Sequence, residues 1–246
     1  MEPVRSTRNP RVIAAVRLHR ARERTRTGRT LLEGPHLLDE ARRAGGEIVE
    51  IFGLGRPEPD DPRWVEVTED VLGKLAGTQN PRGPVAVLAI PEPMPIHRDH
   101  LSVHVTDPGN AGTLIRTAAA FALDVVFRAG SVDPWSPKVL RAGAGAHFRT
   151  GIGLSPAAAG IIATVVEGGI APDRLGEVCD PGRIWEIAVG SEAHGLAPAE
   201  VAAADVKVTI PMPGATESLN AALAGAIVAY EFARWRKSVG GGVSTR

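Results

Sequence analysis

Residues 210–220 read Ile-Pro-Met-Pro-Gly-Ala-Thr-Glu-Ser-Leu-Asn and run straight into a long apolar stretch. A β-branched run, Val206 to Ile210, predicts a strand. The Pro-Met-Pro-Gly turn ends it, and the polar residues Glu217, Ser218 and Asn220 open a helix expected to reach about Arg236. A strand that feeds a glycine turn and then a helix N-terminus leaves backbone N–H and C=O groups unpaired at one point in space, where a polar small molecule can be held. Two more turns share this design. Leu101 to Asp107 predicts a strand that ends in Pro108-Gly109-Asn110-Ala111-Gly112, with Arg116 in the following helix. Trp185 to Val189 predicts a strand that ends in Gly190-Ser191-Glu192-Ala193-His194-Gly195, with a helix starting near Pro198. In open α/β sheets, ligands bind beyond the carboxyl ends of the strands. Brought together, the three turns would make one site.

Strands and helices alternate along the whole chain, which predicts an α/β fold. The expected elements before residue 91 are a helix from Asn9-Pro10 to about Arg26, a strand at Thr30 to Glu33 and a helix at His36 to Ala44. They continue with a strand at Ile48 to Leu54, a helix at Glu69 to Ala76 and a strand at Val85 to Ile90. Three prolines in Pro91-Glu92-Pro93-Met94-Pro95 favour an extended linker. The division expected from these signals is residues 1–92, residues 96–237 and a disordered Gly/Ser-rich tail at 238–246. Beyond the linker, Asp124 to Arg128 is an expected strand and Pro137 to Ala142 a short helix. Periodicity leaves Ile161 to Val166 open between a buried strand and the end of a helix.

The residues of the three turns resemble the three motifs of the SpoU/TrmH branch of the SPOUT RNA methyltransferases. Asn110, Gly112 and Arg116 match the first motif, Gly190, Glu192 and Gly195 the second, and Ile210, Pro211, Met212, Gly214, Ser218, Leu219 and Asn220 the third. They occur in order across roughly residues 100–236. Ala193, Ala222 and Gly143 stand where the family often has glycine, serine and serine. The resemblance implies a C-terminal trefoil-knotted methyltransferase domain, a smaller N-terminal α/β RNA-recognition domain whose Glu-Gly signature appears as Glu33-Gly34, and a homodimer. The implied reaction is methyl transfer from S-adenosyl-L-methionine to a ribose 2′-hydroxyl of RNA. 23S ribosomal RNA is the expected substrate and tRNA the alternative. An antibiotic self-protection role and a non-catalytic RNA-binding module of the same fold both stay open.

The resemblance also assigns residues. Gly190, Ile210 and Leu219 would contact the cofactor through their backbone, with Gly195, Met212 and Gly214 shaping its turns. Arg116, Asn110, Glu192, Ser218 and Asn220 form the expected catalytic set. Arg116 would sit by the ribose and its phosphate. A guanidinium titrates above about 12, so Arg116 suits an electrostatic clamp better than a general base. Glu192 would orient Arg116 or the loop. Ser218 and Asn220 also have an ordinary explanation as helix caps. Thr216 is an equally good cap, which would free Ser218 and Asn220 to face a ligand.

Composition narrows the alternatives. The 246 residues carry no formal net charge, 43% are hydrophobic and only 4% aromatic. Nine arginines and one acid, Glu23, lie between Arg5 and Arg29. This local basic arm, with Arg22, Arg24, Arg26 and Arg29 at its centre, is expected to contact RNA phosphate despite the neutral total. The single Cys179 excludes an internal disulfide and suits a reducing compartment. No apolar run approaches the ~20 residues that span a bilayer, so the expectation is a soluble, cytoplasmic protein. No Gly-x-Gly-x-x-Gly is present, which argues against a nicotinamide-dependent oxidoreductase. His97, His100 and His104 cluster in sequence but straddle a linker and a strand, and no metal is expected there.

Overall fold

A computed structural model describes residues 2–57, 60–77, 81, 83–156, 159–191, 194–214 and 218–240. The first half of the chain forms α1 (Pro10–Arg17), α2 (Ala21–Thr27), β1 (Arg29–Glu33), α3 (Pro35–Arg43), β2 (Ile48–Gly53), β3 (Trp64–Glu66), α4 (Glu69–Leu75) and β4 (Val85–Ala89). There follow β5 (His100–Val103), α5 (Pro108–Ala120), β6 (Asp124–Phe127), α6 (Pro137–Gly143), β7 (Gly160–Thr164), β8 (Trp185–Val189), α7 (Pro198–Ala203), β9 (Val206–Val208) and α8 (Ala221–Ser238). Short 3-10 helices lie at Ala146–Phe148 and Pro172–Glu177. The chain folds as two compact units. One comprises Met1–Glu92 with Asp133–Phe148, the other Pro93–Val132 with Arg149–Arg246.

The first unit is built on a four-stranded sheet of order β1-β4-β2-β3. Strand β4 runs antiparallel to both β1 and β2, while β2 and β3 are parallel. Val12, Leu31, Phe52, Val71, Leu75 and Val85 pack together as its core. The expected single helix from Asn9-Pro10 to Arg26 is instead two. Asn9 caps α1 by accepting a hydrogen bond from the Arg11 N–H at 2.9 Å. The chain then breaks at Leu18–Arg20, and the cause is Arg24. Its buried guanidinium donates to the carbonyls of Leu18 and His19 at 2.9 and 3.0 Å, giving the end of α1 partners that a continuing helix would have supplied.

The segment Asp133–Phe148 completes this unit. Arg24 Nε donates to Asp133 Oδ2 at 2.7 Å, Thr30 Oγ1 to the Trp135 carbonyl at 2.6 Å, and Arg141 Nη1 to Glu33 Oε1 at 2.7 Å. Arg24 is thus a structural residue, only 4% exposed, and the expectation that it reaches RNA is corrected. Arg24→Met should lower stability by about 2–3 kcal/mol. Breaking a buried pair costs ~3–5 kcal/mol, and the partly exposed Asp133 carboxylate regains some hydration. Urea denaturation followed by circular dichroism reads this directly, and an unchanged midpoint would show that the Arg24 contacts add nothing to stability.

The second unit carries a five-stranded sheet of order β6-β5-β8-β7-β9, parallel throughout. Parallel strands are covered on both faces, which is why Leu101, Val103, Val125, Ile187, Val189 and Ile162 are all buried. Helix α5 packs on β5 and β6, α8 on β7 and β8, and the two helices pack on each other. Gly225 makes that approach close: a Cβ there would lie 2.8 Å from Leu114 Cδ2 and 3.1 Å from Val189 Cγ2. At the far end of α8, Arg236 grips Asp99 with two hydrogen bonds of 2.8 and 2.7 Å.

Several boundaries differ from expectation. Strand β5 stops at Val103, and the last residues of the expected strand lead into the α5 cap Asp107. Ile161 to Val166 resolves as β7 followed by a turn. Strand β3, three residues long, has too short a pattern to be seen in the sequence. Ser238 closes α8, and residues 241–246 of the tail lie outside the described residues.

Candidate active site

Because the sheet of the second unit is parallel, β7, β8 and β9 end on one edge. The strand order reverses between β5 and β8, the position where open sheets leave a crevice. A cavity of about 330 Å³ lies at this edge. Thr164, Val165 and Val166 at the end of β7 and just beyond line it, with Val189, Gly190, Ser191, His194 and Gly195 at the end of β8 and in the turn after it. Val208 ends β9 and Ile210 and Met212 follow it; Ser218 and Leu219 come just before α8, and Ala221 and Ala224 from its first turn.

The second turn is closed on itself. Ser191 N–H donates to the Gly195 carbonyl at 3.0 Å, and Gly195 N–H returns to the Ser191 carbonyl at 2.9 Å. Gly195 holds a left-handed φ of +67°. Gly190 has a different reason to be glycine. A Cβ there would stand 2.1 Å from the Gly195 carbonyl carbon and 2.3 Å from the Leu196 nitrogen. The first and third turns touch directly: Asn220 Nδ2 donates to Asn110 Oδ1 at 3.0 Å. Asp107 caps α5, its Oδ1 accepting from the Asn110 N–H at 2.8 Å.

The structure therefore brings Gly190, Gly195, Ile210, Met212, Leu219 and Ser218 to one cavity, and joins Asn110 to Asn220. Gly214 is not among the cavity's lining residues. Asn220 is itself the cap of α8, its Oδ1 accepting from the N–H groups of Ala222 and Leu223. That corrects the expectation that Thr216 would cap the helix and leave Asn220 free, because one asparagine does both jobs with opposite ends of its amide. Thr216 and Glu192 lie outside the described residues. Arg116 is exposed on α5 and lines a second, shallower concavity of about 570 Å³ between α5 and α8, with Phe121, Leu223, Ile227 and Tyr230.

Thr164, Val165, Val166, Ser191 and His194 line the cavity without having been singled out. Ser191 and His194 sit inside the second turn and were open to the same reasoning as their neighbours. The β7 residues were hidden because a fully apolar run has no face to reveal its period. Elsewhere in this unit, burial pushes the Cys179 thiol up to about 11, which leaves it protonated and unreactive at neutral pH. His100 is fully buried, with Nε2 3.5 Å from Glu186 Oε2, and no group of three or more His, Cys, Asp or Glu side chains is assembled for a metal among the described residues.

Comparison with known proteins bears on both units. Residues 101–230 match the SpoU rRNA Methylase family, and residues 9–86 match the MRM3-like substrate binding domain. The chain is 31% identical over 250 residues to the 23S rRNA (guanosine(2553)-2′-O)-methyltransferase RlmP of Bacillus subtilis (strain 168), covering 94% of this chain and 98% of that protein. It is 28% identical to the 23S rRNA (uridine(2479)-2′-O)-methyltransferase of Streptomyces viridochromogenes, covering 88% and 86%. Among solved structures, the AdoMet-bound rRNA methyltransferase from Sinorhizobium meliloti superposes with a TM-score of 0.83 at 26% identity, covering 95% of this chain and 97% of that one.

Proposed function

The chain belongs to the SpoU rRNA methylase family, and from that premise we propose that it transfers a methyl group from S-adenosyl-L-methionine to a ribose 2′-hydroxyl of 23S ribosomal RNA. The observation that carries this is the convergence of the second and third motif turns on one cavity, with the first turn joined to the third beside it by the Asn220–Asn110 hydrogen bond. The cavity's chemistry suits the methyl donor. Val165, Val189, Ile210, Met212 and Leu219 give apolar walls for an adenine ring and a thioether chain, and Thr164, Ser191, His194 and Ser218 offer polar atoms for the ribose and amino-acid ends. Gly190, with no Cβ, lets the backbone of the second turn close tightly at the cavity wall.

A ribose hydroxyl is a poor nucleophile, and the sulfonium centre of S-adenosylmethionine supplies an already activated methyl. The protein's share is then in-line placement and help with one proton. Backbone groups of Gly190, Ile210 and Leu219 hold the donor. Arg116 fixes the phosphate beside the reacting ribose and stabilises charge developing on its 2′-oxygen. The proton leaves to solvent or phosphate, since a guanidinium stays protonated. Asn110 and Asn220 keep the N-termini of α5 and α8 in register, Ser218 hydrogen-bonds the substrate or holds the site's geometry, and Glu192 orients Arg116 or its own loop.

The same reading extends to assembly and place. Leu223, Ile227 and Tyr230 are 54%, 39% and 50% exposed, an apolar strip along α8 with Arg116 at its edge. A second copy of the chain covers this strip, so that the RNA-facing arginine works at a subunit interface. The backbone around the cofactor turns forms a trefoil knot, the first unit recognises RNA, and the protein acts in the cytoplasm on ribosomal RNA. No helix among the described residues is long and apolar enough to cross a membrane.

Incubating the protein with unmodified 23S rRNA and methyl-labelled donor, then mapping 2′-O-methyl positions by resistance to alkaline hydrolysis, should find one principal site. Light scattering of the same sample should give twice the chain mass. Label appearing on a base rather than a ribose, or label entering tRNA and not 23S rRNA, overturns the substrate reading, and a monomer overturns the interface.

A further inference from the structure

The first unit has a concavity of about 300 Å³ of its own, lined by α1, α2 and the neighbouring sheet strands. Its floor is apolar, from Ala15, Leu18, Val49 and Val87. Four arginines stand around it: Arg11, Arg17, Arg26 and Arg29, with Glu23 and Glu50 between them. Arg11 is ion-paired with Glu50, and Arg26 with Glu23 at 2.8 Å. Arg17 and Arg29 make no close carboxylate ion pair among the described residues, although Arg17 lies near enough to Glu23 to help Arg26 lower its pKa. Four positive charges against two negative leave a net excess of two, and the two arginines outside the close pairs have exposed side chains at the edge of an apolar floor.

We infer that this concavity seats one unpaired nucleotide of the RNA substrate, its base against the apolar floor and its two flanking phosphodiesters on Arg17 and Arg29. The inference rests on the RNA methyltransferase reading and adds where a nucleotide other than the methylated one is held. Single-stranded RNA offers bases that can be splayed out of the stack and laid on a protein surface, with phosphate spacing fixed by the backbone. A double helix would keep its bases from the floor. An acidic peptide would pair with the arginines but leave Leu18, Val49 and Val87 facing backbone. The built-in pairs Arg11–Glu50 and Arg26–Glu23 hold two of the guanidiniums in place, so Arg17 and Arg29, outside any close ion pair, are the ones that take phosphate. Arg24, a buried residue of α2, ties that helix to the end of α1 beside the concavity through the carbonyls of Leu18 and His19.

The test is equilibrium binding of a labelled single-stranded oligouridylate to the full chain across a salt series. The double variant Arg17→Gln/Arg29→Gln should lower the log–log salt slope by about 1.4, at ~0.7 per single-strand phosphate contact. Ala14→Glu places a carboxylate in the concavity from an exposed helix position, so folding is untouched; it should weaken binding at low salt and converge on the parent at high salt. Arg56→Gln, exposed elsewhere in the same unit, should do neither. With 23S rRNA as substrate, the double variant should raise KM and leave kcat at saturating RNA unchanged. An unchanged slope in the double variant together with parent-like binding by Ala14→Glu overturns the inference, as does preferential binding of polyglutamate over oligouridylate. If the parent protein transfers no methyl group to any RNA, the functional reading fails, while the oligouridylate arm still decides the concavity.

Discussion

Arg116→Ala is expected to lower methyl transfer by about 10²–10³-fold, the usual cost of removing one donor that stabilises charge only in the transition state. S-adenosylmethionine affinity should stay within a few-fold of the parent. The geometry separates the two effects. Arg116 does not line the 330 Å³ cavity; it lines the neighbouring concavity between α5 and α8. Its position on α5 is set by the Asp107 cap, about two and a half turns before it, and by burial of Leu114, Ile115 and Ala118 against the sheet. Those contacts do not involve the guanidinium, so truncation to alanine leaves the helix intact. Arg116→Lys should recover little, because an ammonium cannot offer two parallel N–H groups to a phosphate. Rapid-quench measurement of single-turnover transfer, with donor affinity from calorimetry on the same preparations, checks both halves. An alanine variant with full single-turnover rate removes Arg116 from the chemistry. A variant that loses donor affinity instead would move Arg116 into the cofactor site.

The three turns were legible in the sequence because glycine and proline punctuate strand–helix joins, and because Gly190, Ile210 and Asn220 each sit at such a join. What stayed hidden has local physical causes. Arg24 looks like eight other arginines in the arm, and only the tertiary structure shows it buried with the carbonyls of Leu18 and His19 and with Asp133, more than a hundred residues away. The helix at Pro137 was expected, and Ser136 caps it. Its membership of the first unit was not, since a helix carries the same pattern whichever core it packs on. Gly225 makes a related point. The small residues Ala224, Gly225 and Ala226 of α8 do not by themselves mark an outer face, since Gly225 is turned inward against Leu114 and Val189. The residues that face out are the larger Leu223, Ile227 and Tyr230. The sequence shows where small residues lie; which face they occupy depends on where the sheet is.

Three glycines of the motifs look alike in sequence and should respond very differently to alanine. At Gly190 the added methyl would lie 2.1 Å from the Gly195 carbonyl carbon and 2.3 Å from the Leu196 nitrogen. Both are backbone atoms, held by the paired Ser191–Gly195 hydrogen bonds and by burial of Leu196 against Ala163 and Ala188. Overpacking that forces backbone shifts costs about 1–3 kcal/mol. Since every ~1.4 kcal/mol is tenfold in affinity, Gly190→Ala should weaken S-adenosylmethionine binding by about 10–100-fold if the displaced loop is the cofactor's. At Gly195 nothing lies within 4 Å of an added methyl group, but φ is +67°. A left-handed alanine costs roughly 1–2 kcal/mol, so Gly195→Ala should weaken binding by less than Gly190→Ala. At Gly214 there is neither a neighbour within 4 Å nor a positive φ, and the residue does not line the cavity. Gly214→Ala should have the smallest effect of the three. Calorimetric titration of each variant with the donor, alongside a thermal melt to exclude general unfolding, gives the order. Equal losses at all three positions would mean that the motif glycines act through chain flexibility and not through the contacts that surround them. Parent-like affinity in a folded Gly190→Ala variant would place the donor elsewhere than in this cavity.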